Sequence, residues 1–241
     1  MLSSSIAPNY VVMLASQLNG SDARMSMAVQ SAIDLGFPVR GRTVARDHGY
    51  ALYAAISRLI PAVHGATWIG IHGIAGKRAT PGELTLDPTA TLRVRIPPDK
   101  IGVLRALAGA TLDVAGHRIE VGAPIVHTLA PAAVLDARIV LIRFTGGLSK
   151  PFDPAAFAQR FVAEAQRQLT SHGIRGELAL CGRRSLSVAG RRVIGYSVRV
   201  LGLSPEDSLT LQIQGLGGKR VMGCGIFSPS SDQGEGPYDH E

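Results

Sequence analysis

Histidine, tyrosine, arginine and glycine are the residues of this chain whose types and spacing could do chemistry. Seven histidines occur: His48, His64, His72, His117, His127, His172 and His240. An imidazole titrates near neutral pH, so each is a candidate general acid or base. His48 stands beside the expected start of a helix, where the dipole lowers its proton affinity, and His64 lies in the loop after that helix. Tyr50 and Tyr53 sit on or near the same helix and can position a phosphate or a sugar hydroxyl. The remaining histidines have plainer readings. His72 and His117 are expected to be hydrogen-bonded within strands, His127 and His172 to lie at the surface, and His240 to belong to a tail. The two-histidine phosphoesterase pattern, His-x-Thr or His-x-Ser occurring twice, is not met by His48-Gly-Tyr, His64-Gly-Ala, His72-Gly-Ile or His127-Thr-Leu. His64 and His72 form the one close pair and have no carboxylate or cysteine cluster beside them, so no metal and no other cofactor is expected.

A second constellation is Gly215-Leu-Gly-Gly-Lys-Arg-Val-Met-Gly-Cys-Gly225, with five glycines and adjacent Lys219 and Arg220. Glycines leave backbone N–H groups unobstructed and permit positive φ, so Gly215, Gly217, Gly218, Gly223 and Gly225 can wrap around phosphate oxygens while the two cations supply charge. A Walker loop is excluded, because Lys219 is followed by Arg220 and the segment follows a helix and leads into a strand. A dinucleotide fingerprint fails for the same reason of order. The competing reading is a helix C-cap at Gly215 followed by a flexible connector. Arg183, Arg184, Arg191 and Arg192 flank Leu186-Ser-Val188 and read as a basic hairpin.

Composition points the same way. The chain has 241 residues, 46% hydrophobic, with a net charge of +7 carried mostly by arginine. Arginine favours bidentate phosphate contacts, which makes nucleic acid the leading partner. Aromatics, at 5%, are scarce for reading single strands by stacking, so recognition through backbone and shape is expected. Cys181 and Cys224 read as reduced thiols, which fits a cytoplasmic protein. No apolar run is long enough for a membrane span, and no basic segment precedes Tyr10–Ala15, so neither membrane association nor a signal peptide is expected.

Several elements must position these groups. Residues 1–24 read as a mobile extension, with Met25 or Met27 as a truer start of the fold. Residues 28–39 read as a strand ended by Pro38 and Gly41. Asp47 is the expected N-cap of a helix carrying Leu52, Ile56, Leu59 and Ile60 and stopped by Pro61. Strands follow at 67–74 and 92–96 across a turn-rich 75–90, then a helix from Asp99 with Ile101, Leu104 and Ala108 on one face, then a strand or hairpin over 112–121 broken at Ala115-Gly116. After a proline-bracketed connector the order recurs. A strand over 138–144 precedes a helix capped by Asp153-Pro154 with a Phe157, Phe161, Ala165, Leu169 stripe. Strands at 177–180 and 193–201, a helix opened by Ser204-Pro-Glu-Asp207 with Leu209, Ile213 and Leu216, and a last strand at 226–227 complete it. The fold class is therefore α+β: two tandem ferredoxin-like (RRM-like) βαββαβ units with a glycine-rich loop near the C-terminus. The expected organisation is a mobile extension over 1–27, an N-terminal unit over 28–123, a linker over 124–136, an RNA-binding unit over 137–229 and a disordered tail over 230–241.

Several motifs in order also resemble a known family. Phe37-Pro-Val-Arg-Gly41, Asp47-His-Gly-Tyr-Ala-Leu-Tyr53, Val63-His64, Trp68-Ile-Gly-Ile-His72, Gly116-His-Arg118 and Gly215 through Phe227 resemble the CRISPR-associated repeat-processing endoribonucleases, the sixth Cas family, in its MYXAN subtype. The resemblance spans about residues 28–229. It implies metal-independent cleavage of precursor CRISPR RNA within repeats by attack of a ribose 2′-hydroxyl, leaving a 2′,3′-cyclic phosphate and producing guide RNAs. It also implies a catalytic histidine in or just after the first helix, which both His64 and His48 satisfy, with Tyr50 as helper. The implied partners are CRISPR repeat RNA and other Cas proteins of a type I effector complex. Two rival readings are a non-catalytic RNA-binding subunit of such a complex and a ferredoxin-like ligand-binding protein unrelated to RNA.

Overall fold

The computed structural model describes residues 32–78, 80–144 and 153–230. The chain opens with β1 (Ile33–Arg40) and β2 (Thr43–Ala45), followed by helix α1 (Gly49–Leu59) and a 3₁₀ turn at Pro61–Val63. Strands β3 (Gly70–Ile71), β4 (Lys77–Arg78), β5 (Glu83–Thr85) and β6 (Thr91–Ile96) lead to a 3₁₀ helix over Pro98–Leu107. Strands β7 (Thr111–Val114), β8 (His117–Val121) and β9 (Ile125–Thr128) follow it. The second half contains β10 (Leu135–Val140), α2 (Pro154–Ser171), β11 (Glu177–Val188), β12 (Arg191–Leu201), α3 (Pro205–Gln214), a 3₁₀ turn at Arg220–Met222 and β13 (Ser228–Pro229).

Two larger antiparallel sheets result, ordered β3-β6-β1-β8-β7, with β9 also on β1, and β11-β12-β10-β13. In each, the first strand of the half lies centrally and the last pairs beside it. A third, three-stranded sheet, β2-β5-β4, occupies part of the stretch read as turn-rich. Each half has its own apolar core, one including Leu35, Phe37, Ile56 and Val94, the other including Phe161, Val198, Leu211 and Phe227.

Several sequence expectations are corrected. Pro38 does not end β1; it pairs with Thr91 inside the strand. Residues 28–31 lie outside the described residues. The Asp47 cap is absent: His48 occupies the N-cap position of α1 without a side-chain cap bond. The helix expected from Asp99 is 3₁₀, which suits a segment opened by Pro97-Pro98 and interrupted by Gly102, and its buried residues are Leu104 and Leu107, three apart. Of residues 67–74 only Gly70 and Ile71 are strand, because this short edge pairs solely with Arg95 and Val94 of β6. The 124–136 connector contributes β9, which adds to β1 at Ile33–Gly36. The two strands expected around a basic loop form one continuous hairpin. In α3 the buried positions are Ser208, Leu211 and Gln212, while Leu209 and Ile213 are only half-buried. The last strand falls at 228–229 instead of 226–227, and residues 231–241 lie outside the described residues. By contrast, Asp153 does cap α2, accepting from the N–H groups of Ala155 and Ala156, and the Phe157, Phe161, Ala165, Leu169 stripe is buried.

Candidate functional site

The candidate site is built on the two ends of α1. At its start, His48 is 4% exposed. Its Nε2 accepts the Ile74 N–H at 2.9 Å, which leaves Nδ1 as the donor to the Ala45 carbonyl at 2.7 Å. Burial holds its proton affinity below the usual value, with the Arg138 charge adding to the same direction. The direction is the one expected from the helix dipole, but its main cause is burial. Both ring nitrogens are spent joining β2 to the segment after β3.

His64 has a different setting. The chain leaves α1, turns at Pro61–Val63 and returns, so that exposed His64 stacks on Tyr53 with ring centroids 6.2 Å apart and planes 15° from parallel. The Tyr53 hydroxyl accepts the Gly65 N–H at 3.0 Å, fixing the phenol against the loop that carries the imidazole. Tyr50, in the first turn of α1, is 38% exposed. The tyrosine brought to His64 is thus Tyr53, one turn beyond the one singled out as helper. The sequence signal for it was the return of the chain at Pro61.

The hairpin and the glycine-rich stretch both reach this helix. Asp47 Oδ2 accepts the Ser187 N–H at 2.7 Å, tying the tip of the β11–β12 hairpin to the start of α1. Leu186 of the hairpin and Met222 and Cys224 of the glycine-rich stretch form one buried cluster with Ile139 and Leu141, and Tyr53, Val188 and Val221 pack around it. The hairpin turns at Ala189 and Gly190, both with positive φ. Strand alternation places Arg184 and Arg191 on the Leu186 face and Arg183 and Arg192 on the opposite one. Arg183, Arg191 and Arg192 are exposed, and the Arg192 Nε donates to Ser185 Oγ at 3.0 Å.

The five glycines do not form an N–H cradle. Their N–H groups all donate inward: Gly215 to Leu211 O, Gly217 to Gln168 Oε1, Gly218 to Leu141 O, Gly223 to Arg220 O and Gly225 to Ile139 O. The glycines serve close packing. At Gly225, φ is +65° and a Cβ would lie 2.0 Å from the Leu216 carbonyl oxygen. Lys219, exposed and itself at φ 66°, presents its charge to solvent, whereas Arg220 is half-buried.

Arg220 belongs to a buried polar group that sequence reading missed. Arg95, 2% exposed, forks Asp34 through Nε and Nη2 at 2.8 and 2.9 Å and donates Nη1 to the carbonyls of Gln212 and Phe227 at 2.8 and 2.7 Å. Burial pushes the Asp34 carboxyl up, but the Arg95 hydrogen bonds and charge outweigh it and hold it below the usual range. His72 lies with Nε2 3.9 Å from Asp34 Oδ1, and burial with the Arg95 charge lowers its pKa to about 3. Burial, then Arg95, lowers Arg220 to about 10. His72 Nε2 and Arg220 Nε have no hydrogen-bond partner among the described residues. The available signal was alternation: in Thr91-Leu-Arg-Val-Arg-Ile96 the arginines face away from the core, but only the second half covers that face.

Of the other histidines, His117 Nδ1 pairs with Thr43 Oγ1 at 3.1 Å, His127 and His172 are exposed, and His240 lies outside the described residues. Among the described residues no group of three or more His, Cys, Asp or Glu could hold a metal ion, and no helix is long and apolar enough to cross a membrane.

The molecule is thus a mixed α/β protein of antiparallel sheets in which a basic hairpin, a glycine-rich turn and an exposed histidine–tyrosine pair gather on one helix. Comparison with known proteins gives its family: a family model described as Cas6 Crispr matches residues 33–232, and the chain belongs to that family. The CRISPR-associated endonuclease Cas6 of Myxococcus xanthus (strain DK1622) is 39% identical over 197 residues, 82% of this chain and 81% of that one. Among solved structures, a CRISPR associated protein Cas6 gives a TM-score of 0.59 at 11% identity, over 83% of this chain and 99% of the other. A Cas6-related protein from Pyrococcus furiosus gives 0.59 at 14%, over 84% and 100%. At such identities these two establish likeness of fold.

Proposed function

We propose that this chain is a metal-independent endoribonuclease that cuts precursor CRISPR RNA within its repeats. The observation that carries the reading is the exposed His64 ring stacked on Tyr53, whose hydroxyl is fixed by the Gly65 N–H. In the reaction the ribose 2′-hydroxyl attacks the adjacent phosphorus. The P–O2′ bond forms, the P–O5′ bond breaks, the 2′-proton passes to a base and the leaving 5′-oxygen gains a proton. The products are a 2′,3′-cyclic phosphate and a 5′-hydroxyl. His64 serves as the acid or base at the scissile phosphate. Lys219 and the exposed hairpin arginines hold the strand and offset the charge that develops on phosphorus. The engaged ring nitrogens of His48 favour a positioning role for that residue, with Tyr50 at the rim of the site.

The strand orders β3-β6-β1-β8 and β11-β12-β10-β13 support two tandem ferredoxin-like units, the first built on β1 to β8 and the second on β10 to β13. The identity to the Myxococcus endonuclease supports the substrate class. A cytoplasmic setting and partnership with other Cas proteins belong to the same reading.

The test is cleavage of repeat RNA in EDTA. Cutting that is abolished by a 2′-deoxy substitution at the scissile nucleotide, and reduced by His64→Ala, is the expected result. Cutting that survives the 2′-deoxy substitution refutes the mechanism, and tight binding without cutting by the wild type assigns the chain as a non-catalytic RNA-binding subunit.

A further inference from the structure

Two sequence motifs, Phe37–Gly41 and Gly116–Arg118, have no part in the site above, yet the fold brings them to one place. The end of the first motif, Arg40 and Gly41, and all of the second line a cavity of about 410 Å³ with Arg42, Thr43 and Glu120; its polar side chains are Arg40, Arg42, Thr43, His117, Arg118 and Glu120. Register explains the convergence. Arg40 pairs with Glu120 across β1 and β8, and alternation along β8 puts Arg118 and Glu120 toward solvent while Ile119 and Val121 enter the core. A Cβ on Gly41 would lie 2.9 Å from the Arg118 carbonyl oxygen, so glycine there allows the exit of β1 to close on the β7–β8 hairpin. The bond between Thr43 Oγ1 and His117 Nδ1 pins the inner wall.

We infer that this mouth is a phosphodiester-binding subsite for RNA, lined by none of the residues of the His64–Tyr53 pair. The inference rests on the RNA-processing reading above. Three guanidinium groups face one carboxylate, and guanidinium forks match phosphate oxygens two at a time. The arginines are exposed, so the site suits a chain passing across it better than an enclosed small molecule. Glu120 opposes a phosphate but is weakly held: its contact to Arg118 is 3.6 Å between side chains 59% and 75% exposed. An incoming phosphate can displace that pair at little cost. The cavity therefore gives RNA a backbone contact on the first half of the protein, whereas the hairpin and glycine-rich turn belong to the second.

The test measures binding of a synthetic CRISPR repeat RNA, blocked by a 2′-deoxy nucleotide at the scissile position, at several salt concentrations. R42A and R118A are expected to weaken binding several-fold and to lower the log K against log salt slope by about one each. E120Q is expected to tighten binding, a change of opposite sign that a purely structural role does not produce. R175A, an exposed arginine after α2, is the control and is expected to bind like wild type. Should thermal melting show an arginine variant misfolded, E120Q carries the test alone. Equal losses for R175A and R118A, or an E120Q that binds no tighter than wild type, overturn the subsite. If wild type binds and cuts while all variants match it, this inference alone falls; a wild type that neither binds nor cuts repeat RNA removes the functional reading as well.

Discussion

Arg95 and Asp34 lie directly opposite each other on β6 and β1 and form a buried two-point ion pair, and the same guanidinium then reaches the carbonyls of Gln212 and Phe227. One side chain thereby joins the sheet of the first half to the end of α3 and the approach to β13. Breaking a buried pair by removing one partner leaves an uncompensated charge and two unpaired carbonyls. R95A is expected to lose about 3–5 kcal/mol of stability. Urea titration checks this, and a loss below about 1 kcal/mol would contradict the buried network.

Stability should also depend on pH with a definite sign. His72 has a pKa of about 3 in the folded chain against an ordinary value of 6.5, and His48 is shifted in the same direction. Between these values the unfolded chain binds more protons, so stability is full above about 6.5 and falls as the pH drops toward 3, by about 1.4 kcal/mol per pH unit for each proton taken up. Asp34, held below its ordinary 3.8, contributes loss only below that value. Urea midpoints from pH 7.5 to 4.5 should decline steadily, and H72N should flatten the decline.

The two candidate histidines should separate by readout. H64A is expected to lower the single-turnover cleavage rate by about 10²–10⁴ while melting like wild type, because the ring is exposed. H48A is expected to cost about 1–3 kcal/mol per orphaned partner, since Ala45 O and Ile74 N–H both lose their bonds. Melting curves beside cleavage rates check both; normal stability in H48A with abolished cleavage would reverse the assignment. Y53F should lower the rate less than H64A, since it keeps the stacked ring and removes only the hydroxyl that the Gly65 N–H fixes.

The tie between the hairpin and α1 is testable without RNA. In D47A the Ser187 amide loses its acceptor, so its hydrogen exchange should accelerate while amides of α2 remain protected. Unchanged exchange at Ser187 would mean that apolar packing of Leu186 alone seats the hairpin tip.

Thiol chemistry gives a check on packing of the glycine-rich turn. Cys224 is buried, and burial pushes its thiol up to about 12, whereas Cys181 is exposed. In the folded protein one thiol, Cys181, should react with a small thiol reagent, and Cys224 should follow only after unfolding.

The sequence by itself determined whatever depends on local pattern. The Asp153-Pro154 cap, the Phe157 to Leu169 stripe, the end of α1 at Pro61 and the turn at Ala115-Gly116 follow from propensity and period, which act within a few residues. It also offered the residue types of the site, a histidine after the first helix and a basic hairpin. What it left open is what depends on partners far along the chain. Tyr53 and not Tyr50 meets His64 because the chain doubles back. Asp47 serves a hairpin 140 residues away and not its own helix. The glycines of the last loop look like an open phosphate cradle until the carbonyls of Ile139, Leu141 and Leu211 and the Gln168 side chain are seen to take their N–H groups. Arg95 carries no signal beyond its place in a strand until the carbonyls of Gln212 and Phe227 meet it. A local pattern states which face is apolar. Which face becomes buried, and which donor finds which acceptor, is decided only when distant segments compete for the same groups and every buried polar atom must be matched.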